Sequence, residues 1–469
     1  MLHERVIEKV VLVLYSLYLL TFTNGIISSK IGVNYGRLGN NLPSPYESIR
    51  YIRNMRAGRV KLYDANPEVL KLLSGTHIQV SIMVTNDLIS SVASSQEQAN
   101  QWVLENVLAY YPDTMIRYVL VGNEVLSYND KKMWDDLVPA MRNIKTAIRA
   151  HNINNIKIGT PLAMDMLASS YPPSSGRFRP EVEHVMLPLL NFLNGTKGFF
   201  FLDVYPYFPW SSDPSSISLD FALFRNGNSS YQDPESRLVY TNLLDQMLDS
   251  VNFAMEKLGY NNIRMAIAET GWPNGGDIDE PGANVYNAAV YNRYVVQKIT
   301  ANPPIGTPAR PGTIIPTFIF SLYNENRKTG RGTERNWGLL NSSGRPMYEI
   351  DLTGKHNSSS YHDTLPLPTN NTPYRGKLWC VVAEGVDNSD QLINAAQFAC
   401  GQGNGTCDAL QPEGECYQPF TPRDHANYAF SSNWAKFKNT GATCYFNGLA
   451  MQTTEDPSHD SCRFPSVIV

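Results

Sequence analysis

Short apolar runs recur along the first 350 positions of the chain, and stretches with a helical pattern separate them. Several runs are apolar at nearly every position, which is typical of parallel strands that are buried on both faces. Eight runs can be counted, at 31–35, 59–63, 79–84, 116–124, 156–160, 199–207, 264–269 and 317–323. Eight strands that alternate with helices predict a (β/α)₈ barrel. A doubly wound open sheet is the alternative, but no Gly-x-Gly-x-x-Gly turn follows any run, which argues against a dinucleotide-binding fold.

The stretches between the runs carry the helical pattern. Apolar residues three and four positions apart predict helices at 135–150 and 235–258. The sequence from Ser94 to Glu97 has the form of a capping box and predicts a helix that runs to about Tyr111. Asn66-Pro67 predicts a shorter helix with proline at its first position. Strands and helices together place the barrel domain at residues 30–350.

The first 29 residues have a different pattern, which predicts a secretory signal peptide. Arg5 and Lys9 give a basic start, an apolar run covers 10–22, and small or polar residues suited to cleavage follow. A membrane anchor is the alternative, but this run is short for a span of about 20 residues. No later stretch is long and apolar enough to cross a bilayer, so we expect no transmembrane segment after signal cleavage.

The distribution of cysteine divides the rest of the chain in two. An even number of cysteines in a short segment of a secreted chain predicts disulfides, and fifteen pairings are open. A metal site is not indicated, because the sequence has neither a Cys-x-x-Cys motif nor a Cys/His ligand spacing. All six cysteines follow residue 379, and they are Cys380, Cys400, Cys407, Cys416, Cys444 and Cys462.

A polar segment at 351–378 separates the barrel from the cysteine-rich part. It contains three prolines and shows neither a strand nor a helix period, so we interpret it as a flexible linker. It also carries two of the six glycosylation sequons, and these two are expected to be the most accessible. The sequons begin at Asn194, Asn228, Asn341, Asn357, Asn370 and Asn404.

Charge and histidine content exclude several classes of function. The formal net charge of -4 gives no basic field, so we expect no nucleic-acid partner. The eight histidines form no ligand-like cluster, and no Gly-x-Ser-x-Gly elbow is present. We therefore expect neither a metal nor a cofactor, and acyl transfer is poorly supported.

Two glutamates stand out because each ends an apolar run. Glu124 ends the fourth run and Glu269 ends the seventh. Active sites of (β/α)₈ barrels lie at the C-terminal ends of the strands, so both side chains are expected in one mouth. A pair of carboxyl groups suits glycosidic bond cleavage, in which one is protonated and the other is ionised.

Five motifs in the same order resemble glycoside hydrolase family 17 over about residues 31–350. They are Gly32–Gly36, Val121–Glu124, Glu269–Pro273, Asn324–Lys328 and Glu334–Gly338. That family contains the plant-type endo-1,3-β-glucanases, which are retaining enzymes on a (β/α)₈ barrel. The resemblance implies that Glu124 is the acid/base and Glu269 the nucleophile. It also implies an accessory charged cluster of Glu325, Lys328 and Glu334, for which an ordinary salt-bridge network is an equal alternative.

Polar residues at three strand ends are expected to support the two glutamates. Asn123 precedes the acid and can donate its amide to the sugar 2-hydroxyl, or it can serve only as a structural hydrogen bonder. Tyr35 and Tyr205 end the first and sixth runs, where their hydroxyls can orient the nucleophile or hold sugar.

Aromatic residues cluster after the sixth run. Trp210, in a predicted loop, and Trp272 are expected to stack on the apolar faces of pyranose rings. Core packing is the better interpretation for Tyr207 and Phe208, because aromatic residues at strand ends often fill a barrel.

Residues 379–464 resemble carbohydrate-binding module family 43, also called the X8 domain. The resemblance rests on the six cysteines in order and on motifs such as His425–Phe430 and Cys444–Gly448. It implies binding to 1,3-β-glucan and the bridges Cys380–Cys444, Cys400–Cys407 and Cys416–Cys462. Candidate glucan-stacking residues, each of which can equally pack a small core, are Trp434, Tyr428 and Tyr445.

These observations predict a secreted, monomeric, retaining endo-1,3-β-glucosidase whose module keeps it on its polymer. Only seven residues follow Cys462, too few for the tail of about 10–20 residues that a lipid anchor requires, so we expect location in the cell wall without an anchor. The alternatives are a catalytically silent glucan-binding wall protein and a transglycosylase.

Overall fold

The computed structural model describes residues 30–225 and 230–469. The predicted signal peptide and the sequon at Asn228 lie outside the described residues. A ring of parallel strands forms the centre of the larger part of the molecule. The barrel strands are Ile31–Tyr35, Arg59–Leu62, Gln79–Val84, Ile116–Val121, Lys157–Gly159 with Pro161–Ala163, Phe199–Asp203, Arg264–Thr270 and Thr317–Ile319.

The fifth strand closes the ring in two pieces. Lys157–Gly159 pairs with the fourth strand, and Pro161–Ala163 pairs with the sixth. The eighth strand pairs with both the first and the seventh. Every pairing around the ring is parallel, so the carboxyl ends of all strands open at one mouth. The predicted (β/α)₈ barrel is confirmed.

Helices surround the barrel strands. Asn66 caps the helix at Pro67–Leu72 as predicted, by accepting a hydrogen bond from the Val69 amide. The helices of this part are Pro45–Asn54, Pro67–Leu72, Ile89–Ser94, Gln96–Val103, Lys131–Ala150, Glu183–Thr196, Tyr207–Ser212, Leu219–Ala222, Leu243–Lys257 and Val285–Thr300. Short two-stranded pairs lie outside the ring at Leu167–Ser169 with Arg177–Phe178, Tyr231–Gln232 with Val239–Tyr240, and Gly306–Thr307 with Arg310–Pro311.

Three predicted helix starts are wrong, and local capping explains each. The helix predicted at 135–150 already begins at Lys131, because the side chain of Asp130 caps it by accepting from the Met133 amide. Ser95 rather than Ser94 is the cap residue, because its hydroxyl accepts from the Gln98 amide. The helix predicted at 235–258 begins only after Asn242, whose side chain accepts from the Asp245 amide. The residues before that cap form a short strand pair instead of a helical turn.

The lower part of the barrel is a packed core. Its centre contains buried side chains from alternate strand positions, including Met83, Tyr118, Leu120, Phe201 and Phe318. A much larger apolar cluster fills the layer between strands and helices. Because the barrel interior is filled below the mouth, open space for a ligand lies at the carboxyl ends of the strands.

The cysteine-rich part is a small module with its own core. Its strands are Lys377–Val382, Ala450–Thr453 and Val467–Ile468, and its helices are Ser389–Gly401 and Pro422–Phe437. The predicted pairing of all six cysteines is confirmed, with bridges Cys380–Cys444, Cys400–Cys407 and Cys416–Cys462. Phe430 stacks on Phe446 at 4.1 Å between ring centroids inside this core.

The segment between barrel and module lies against the barrel. Asp363 accepts two hydrogen bonds from the Arg293 guanidinium, at 2.6 and 2.8 Å. The Asn370 amide nitrogen donates to the Ala283 carbonyl, so its side chain is engaged, whereas Asn357 is exposed. Among the residues that the structure describes, no helix is both long and apolar enough to cross a membrane.

Candidate active site

A cavity of about 750 Å³ occupies the mouth of the barrel. Glu124 and Glu269 both line it, together with Tyr205 and the predicted charged cluster. The structure therefore brings together residues that are up to 210 positions apart in the sequence, from Glu124 to Glu334. The fold achieves this because each of these residues follows or ends a parallel strand.

Glu269 is buried and receives three hydrogen bonds. Lys61 donates to its Oε1 at 2.6 Å, and Lys61 itself is fully buried. The Tyr63 hydroxyl donates to the same oxygen, and the Tyr205 hydroxyl donates to Oε2. Asn34 donates to the Tyr63 oxygen at 3.0 Å, which leaves the tyrosine proton directed at Glu269. All of these donors stabilise the ionised carboxylate.

The environment of Glu269 therefore favours its charged form. Burial alone raises the pKa of this carboxyl, but the charge of Lys61 and the hydrogen bonds from Lys61, Tyr205 and Tyr63 outweigh it and lower the pKa. Burial and the nearby Glu269 charge raise the pKa of Tyr63 and Tyr205 well above the usual value, so both remain donors. Glu269 is thus held as a buried anion, as an attacking carboxylate requires.

Glu124 is held in place by an unusual backbone conformation. Its φ of 50° and ψ of 37° lie in the left-handed region, which costs a non-glycine residue about 1–3 kcal/mol. Its amide donates to the Pro161 carbonyl at 3.0 Å, so the fifth strand fixes the turn. Gly122 also has positive φ, and a Cβ there would overlap Val125. This turn directs the Glu124 side chain into the cavity.

Glu124 has the opposite electrostatic environment from Glu269. Among the described residues, none donates a hydrogen bond to its carboxyl that would stabilise a charge, whereas Glu269 accepts three. Burial, followed by repulsion from Glu269, raises the pKa of Glu124 to about 7, although Lys61 opposes the shift. At neutral pH a large fraction of Glu124 is therefore protonated, as a proton donor requires.

Asn123 directly precedes Glu124 and contacts Lys61, the residue that binds Glu269. The side-chain oxygen of Asn123 accepts a hydrogen bond from Lys61 at 3.2 Å. Its backbone N–H donates to the side-chain oxygen of Asn86, and its backbone carbonyl accepts from the side-chain nitrogen of Asn86. Asn123 lines the cavity, and only its side-chain oxygen is used by Lys61. Its side-chain nitrogen is therefore free of that contact.

The predicted cluster of Glu325, Lys328 and Glu334 also lines the cavity. Lys328 Nζ lies 3.7 Å from a Glu325 oxygen and 4.1 Å from the centre of the Phe320 ring. Glu325 accepts from the Leu38 amide at 2.7 Å. Burial raises the pKa of Glu334, and the charge of Lys328 opposes that shift.

Asp203 is a buried acid that the sequence interpretation overlooked. It ends the sixth strand, and its Oδ1 lies 4.0 Å from Lys61 Nζ. Neither carboxyl oxygen has a hydrogen-bond partner among the described residues. Burial and the charge of Glu269 raise its pKa well above the usual value, so a neutral Asp203 leaves the Lys61 charge to Glu269.

Lys61 and Tyr63 are the most important site residues that the sequence interpretation missed. Both belong to the second apolar run, where residues two positions apart share one face. A lysine inside an otherwise apolar strand, followed two positions later by a tyrosine, was the available signal. Tyr35, which was predicted instead, packs in the core beside Tyr323 at 6.2 Å between ring centroids and does not line the cavity.

The predicted sugar-stacking role of Trp210 and Trp272 is wrong. Trp210 is 1% exposed and Trp272 is 0% exposed, and the two rings pack together at 5.5 Å. The expected loop around Trp210 is the helix Tyr207–Ser212, which turns the indole inward. Tyr207 is buried as predicted, but Phe208 is 43% exposed and lines the cavity. Tyr128, 53% exposed on the same cavity, was not predicted.

The three aromatic candidates in the module also differ from the prediction. Trp434 is 2% exposed and Tyr428 is 8% exposed, so both serve the module core rather than a polymer surface. Tyr445 contacts the barrel, because its ring stacks under the Arg335 guanidinium at 3.6 Å.

Comparison with known proteins identifies both parts of the chain. The model of the glycosyl hydrolases family 17 matches residues 31–352, and the model of the X8 domain matches residues 378–451. The chain is 58% identical to the probable glucan endo-1,3-beta-glucosidase A6 of Arabidopsis thaliana over 442 residues, covering 94% of this chain and 92% of that one. It is 36% identical to a glucan endo-1,3-beta-D-glucosidase of Olea europaea, covering 97% of each chain.

A solved structure supports the same relationship. CJP38, a beta-1,3-glucanase and allergen of Cryptomeria japonica pollen, is 41% identical with a TM-score of 0.65, over 69% of this chain and 98% of that one. The sequence match, the barrel and the two carboxyl groups at its mouth agree. This chain belongs to the glycosyl hydrolases family 17.

Proposed function

We propose that the chain is a retaining endo-1,3-β-glucanase that cleaves internal 1,3-β-D-glucosidic bonds by double displacement. The observation that carries the proposal is the contrast between two glutamates in one cavity. Burial raises the pKa of Glu124 to about 7, while Lys61 and two tyrosine hydroxyls lower that of Glu269. A proton donor and a carboxylate nucleophile are the two groups that retention needs.

In the first step, the Glu269 carboxylate attacks the anomeric carbon while Glu124 gives its proton to the glycosidic oxygen. The bond between that carbon and oxygen breaks, and the leaving chain departs with the proton. In the second step, the Glu124 carboxylate takes a proton from a water molecule that attacks the anomeric carbon. Glu269 then leaves as a carboxylate, and the product keeps the β configuration. Retention needs a carboxyl separation of about 5–5.5 Å, which stays a prediction.

The surrounding residues have distinct supporting roles in this proposal. Lys61 stabilises the Glu269 charge before attack, and Tyr63 and Tyr205 fix the direction of its oxygens. The Asn123 amide nitrogen is available for the sugar 2-hydroxyl, because Lys61 engages the amide oxygen. Phe208 and Tyr128 replace the buried tryptophans as candidate platforms for pyranose rings, since both are exposed on the cavity.

The substrate assignment draws on the relatives. Two close relatives carry the names of glucan endo-1,3-β-glucosidases, and their similarity covers more than nine-tenths of this chain. We infer that the X8 module binds the same glucan and keeps the barrel on the polymer. Three disulfides, together with the signal-like start of the sequence, support secretion to the cell wall. All proposed catalytic groups come from one chain, so the proposed working form is a monomer.

Digestion of linear 1,3-β-glucan by the purified full chain tests this function. We expect the mean chain length to fall early, with new reducing ends, because internal bonds are cut. Glu124→Gln and Glu269→Gln should remove this activity, whereas Glu97→Gln, an exposed control on an outer helix, should keep it. Products longer than the substrate would indicate a transglycosylase, and binding without cleavage would indicate a silent wall protein. Either result would overturn the proposal.

A further inference from the structure

The module contacts the barrel through side chains that meet two loops of the active-site mouth. On the loop that follows the seventh strand, Asp279 accepts from Lys438 at 2.8 Å and from the Gln452 side chain at 3.0 Å. The same glutamine accepts from the Ile278 amide at 2.9 Å. Asp279 is only 7% exposed, so this contact is a buried, charge-assisted one rather than a loose surface ion pair.

A second contact lies on the loop that follows the eighth strand, and it depends on Tyr445. The Tyr445 hydroxyl donates to the Asn326 carbonyl, and its ring stacks under the Arg335 guanidinium at 3.6 Å. Asn326 directly follows Glu325, and Arg335 directly follows Glu334. Tyr445 therefore contacts the chain next to two acids of the cavity at once.

Arg335 transmits this contact to the rest of the loop. Its guanidinium donates to the carbonyls of Lys328 and Gly330, at 3.2 and 3.1 Å, which fixes the path of the chain around Lys328. The two loops are also joined, because Arg331 donates to Glu280 at 2.9 Å and pairs with Asp279 at 3.0 Å. The module, both loops and the charged cluster thus form one connected set of contacts.

This loop depends on such external contacts for its shape. Apart from the short 3₁₀ turn Gly332–Arg335, residues 325–336 have no regular secondary structure in the described chain. Its own hydrogen bonds include those from Arg335 to the Lys328 and Gly330 carbonyls, and the barrel holds it through the Arg327 amide, which donates to the Leu38 carbonyl, and the Thr333 amide, which donates to Glu280. Irregular loops nevertheless open at a lower cost in free energy than core strands and helices. The position of the Lys328 charge relative to Glu325 and Glu334 therefore depends on the contacts that hold the loop.

We propose that the module positions the 325–336 loop of the barrel through Tyr445, and so supports catalysis directly in addition to binding the polymer. Tyr445 is a positioning residue in this account, because it acts through Asn326 and Arg335 and does not line the cavity. The inference rests on the proposed glucanase function and extends it. Its consequence is that the module contributes to turnover of short soluble oligosaccharides, which need no attachment to a polymer.

Full-chain variants of Tyr445 test the inference by two independent measurements. Tyr445→Leu removes the hydroxyl and the aromatic face, whereas Tyr445→Phe removes the hydroxyl alone. Tyr374→Phe is the matched control, because it also removes a tyrosine hydroxyl that donates to a backbone carbonyl, that of Lys377, on the module side. The measurements are amide hydrogen exchange across 325–336 and kcat and KM on a short soluble 1,3-β-glucan oligosaccharide.

We expect faster exchange in this loop for Tyr445→Leu, a smaller increase for Tyr445→Phe, and none for Tyr374→Phe. The kcat of Tyr445→Leu should fall about ten- to a hundredfold, since small displacements of active-site groups have effects of that size. KM should change little, because the loss concerns the transition state more than substrate binding. Binding to insoluble glucan through the module should be retained by Tyr445→Phe.

The inference is overturned if exchange in the loop and kcat on the soluble oligosaccharide are unchanged in Tyr445→Leu, or if Tyr374→Phe has the same effect. It is also overturned if only activity on insoluble polymer is lost, since Tyr445 would then act by binding the polymer. If the unmodified chain hydrolyses no glucan, the proposed function fails, and the exchange measurement alone decides whether the module positions the loop.

Discussion

The pKa values of two identical side chains are shifted in opposite directions in this site because their neighbours differ. Glu269 accepts hydrogen bonds from Lys61, Tyr63 and Tyr205, and the attraction of Lys61 overcomes the cost of burial. Glu124 is half-buried, and repulsion from Glu269 adds to the cost of removing its charge from water. The positions of both glutamates followed from the sequence, since each ends an apolar run. Their environments did not, because Lys61 and Tyr63 are more than 200 positions from Glu269 and meet it only through strand order.

Replacing Lys61 tests the cause of the low pKa of Glu269. In Lys61→Met the stabilising charge is lost, so the pKa of Glu269 rises and a higher pH is needed to ionise this proposed nucleophile. We expect the acid limb of kcat/KM to move up by about 1–3 pH units, the usual effect of one close opposite charge. Lys145→Met, which removes a buried lysine on an outer helix, should leave the limb in place. An unmoved acid limb in Lys61→Met would contradict the assigned role.

The alkaline limb of the same profile reports on Glu124. This residue must be protonated to act as the proposed acid, so kcat/KM should fall as the pH rises through about 7. The negative charge of Asp165 contributes to the raised pKa. Asp165→Asn should therefore lower the pKa of Glu124 and move the alkaline limb to lower pH, while Glu97→Gln should not. A shift to higher pH would show that another group sets this limb.

At the scale of elements, apolar runs located the strands well, while turns and caps were harder to predict. All eight runs overlap a barrel strand, because parallel strands buried on both faces leave a strong apolar signal. The helix Tyr207–Ser212 was missed, and with it the inward direction of Trp210, because a six-residue helix is too short to show a period. Tyr35 was misplaced for a related reason, since the last residue of a strand faces either the mouth or the surrounding layer.

The turn after the first strand provides a prediction at this scale. Gly36 lies against Glu325, and a Cβ at this position would overlap both carboxylate oxygens. Gly36→Ala should displace Glu325 and destabilise the barrel by about 1–3 kcal/mol, the usual cost of overpacking. Urea denaturation measures this change, and activity should fall with it.

Gly195→Ala is the control for that substitution. Gly195 lies in the helix Glu183–Thr196 and has no atom within 4 Å of an added Cβ. Alanine there should be neutral or stabilise the helix by about 0.5–1 kcal/mol. If Gly36→Ala were as stable and active as this control, the close approach of Glu325 would be unimportant.

At the scale of the whole molecule, the sequence predicted two independent parts joined by a flexible linker. The polar composition of the linker does not indicate which residues it contacts, so the sequence could not reveal that Asp363 and Asn370 bind the barrel. The contacts of Tyr445 and Lys438 with barrel loops were equally hidden, because each needs the final arrangement of both parts. A module docked on the barrel should affect the activity of the barrel on soluble oligosaccharides, whereas a loosely attached module should not.

Reduction of the disulfides distinguishes these two cases. All three bridges lie in the module, and each typically stabilises a small domain by about 2–4 kcal/mol. Reduction should unfold the module, abolish its glucan binding, and lower soluble-oligosaccharide activity to the level of Tyr445→Leu. Reduction of Tyr445→Leu itself should change soluble activity little, because the same contact is already lost. Full soluble activity after reduction of the unmodified chain would favour independent parts.

The configuration of the first product is the most direct test of the central claim that Glu269 attacks the anomeric carbon and Glu124 supplies the proton. Proton NMR of a soluble 1,3-β-glucan oligosaccharide, recorded within the first minutes of digestion, measures which anomer forms before mutarotation. The double displacement predicts that the β anomer forms first, with the α anomer appearing later at the rate of mutarotation. Initial release of the α anomer would show a single displacement by water and would contradict the account.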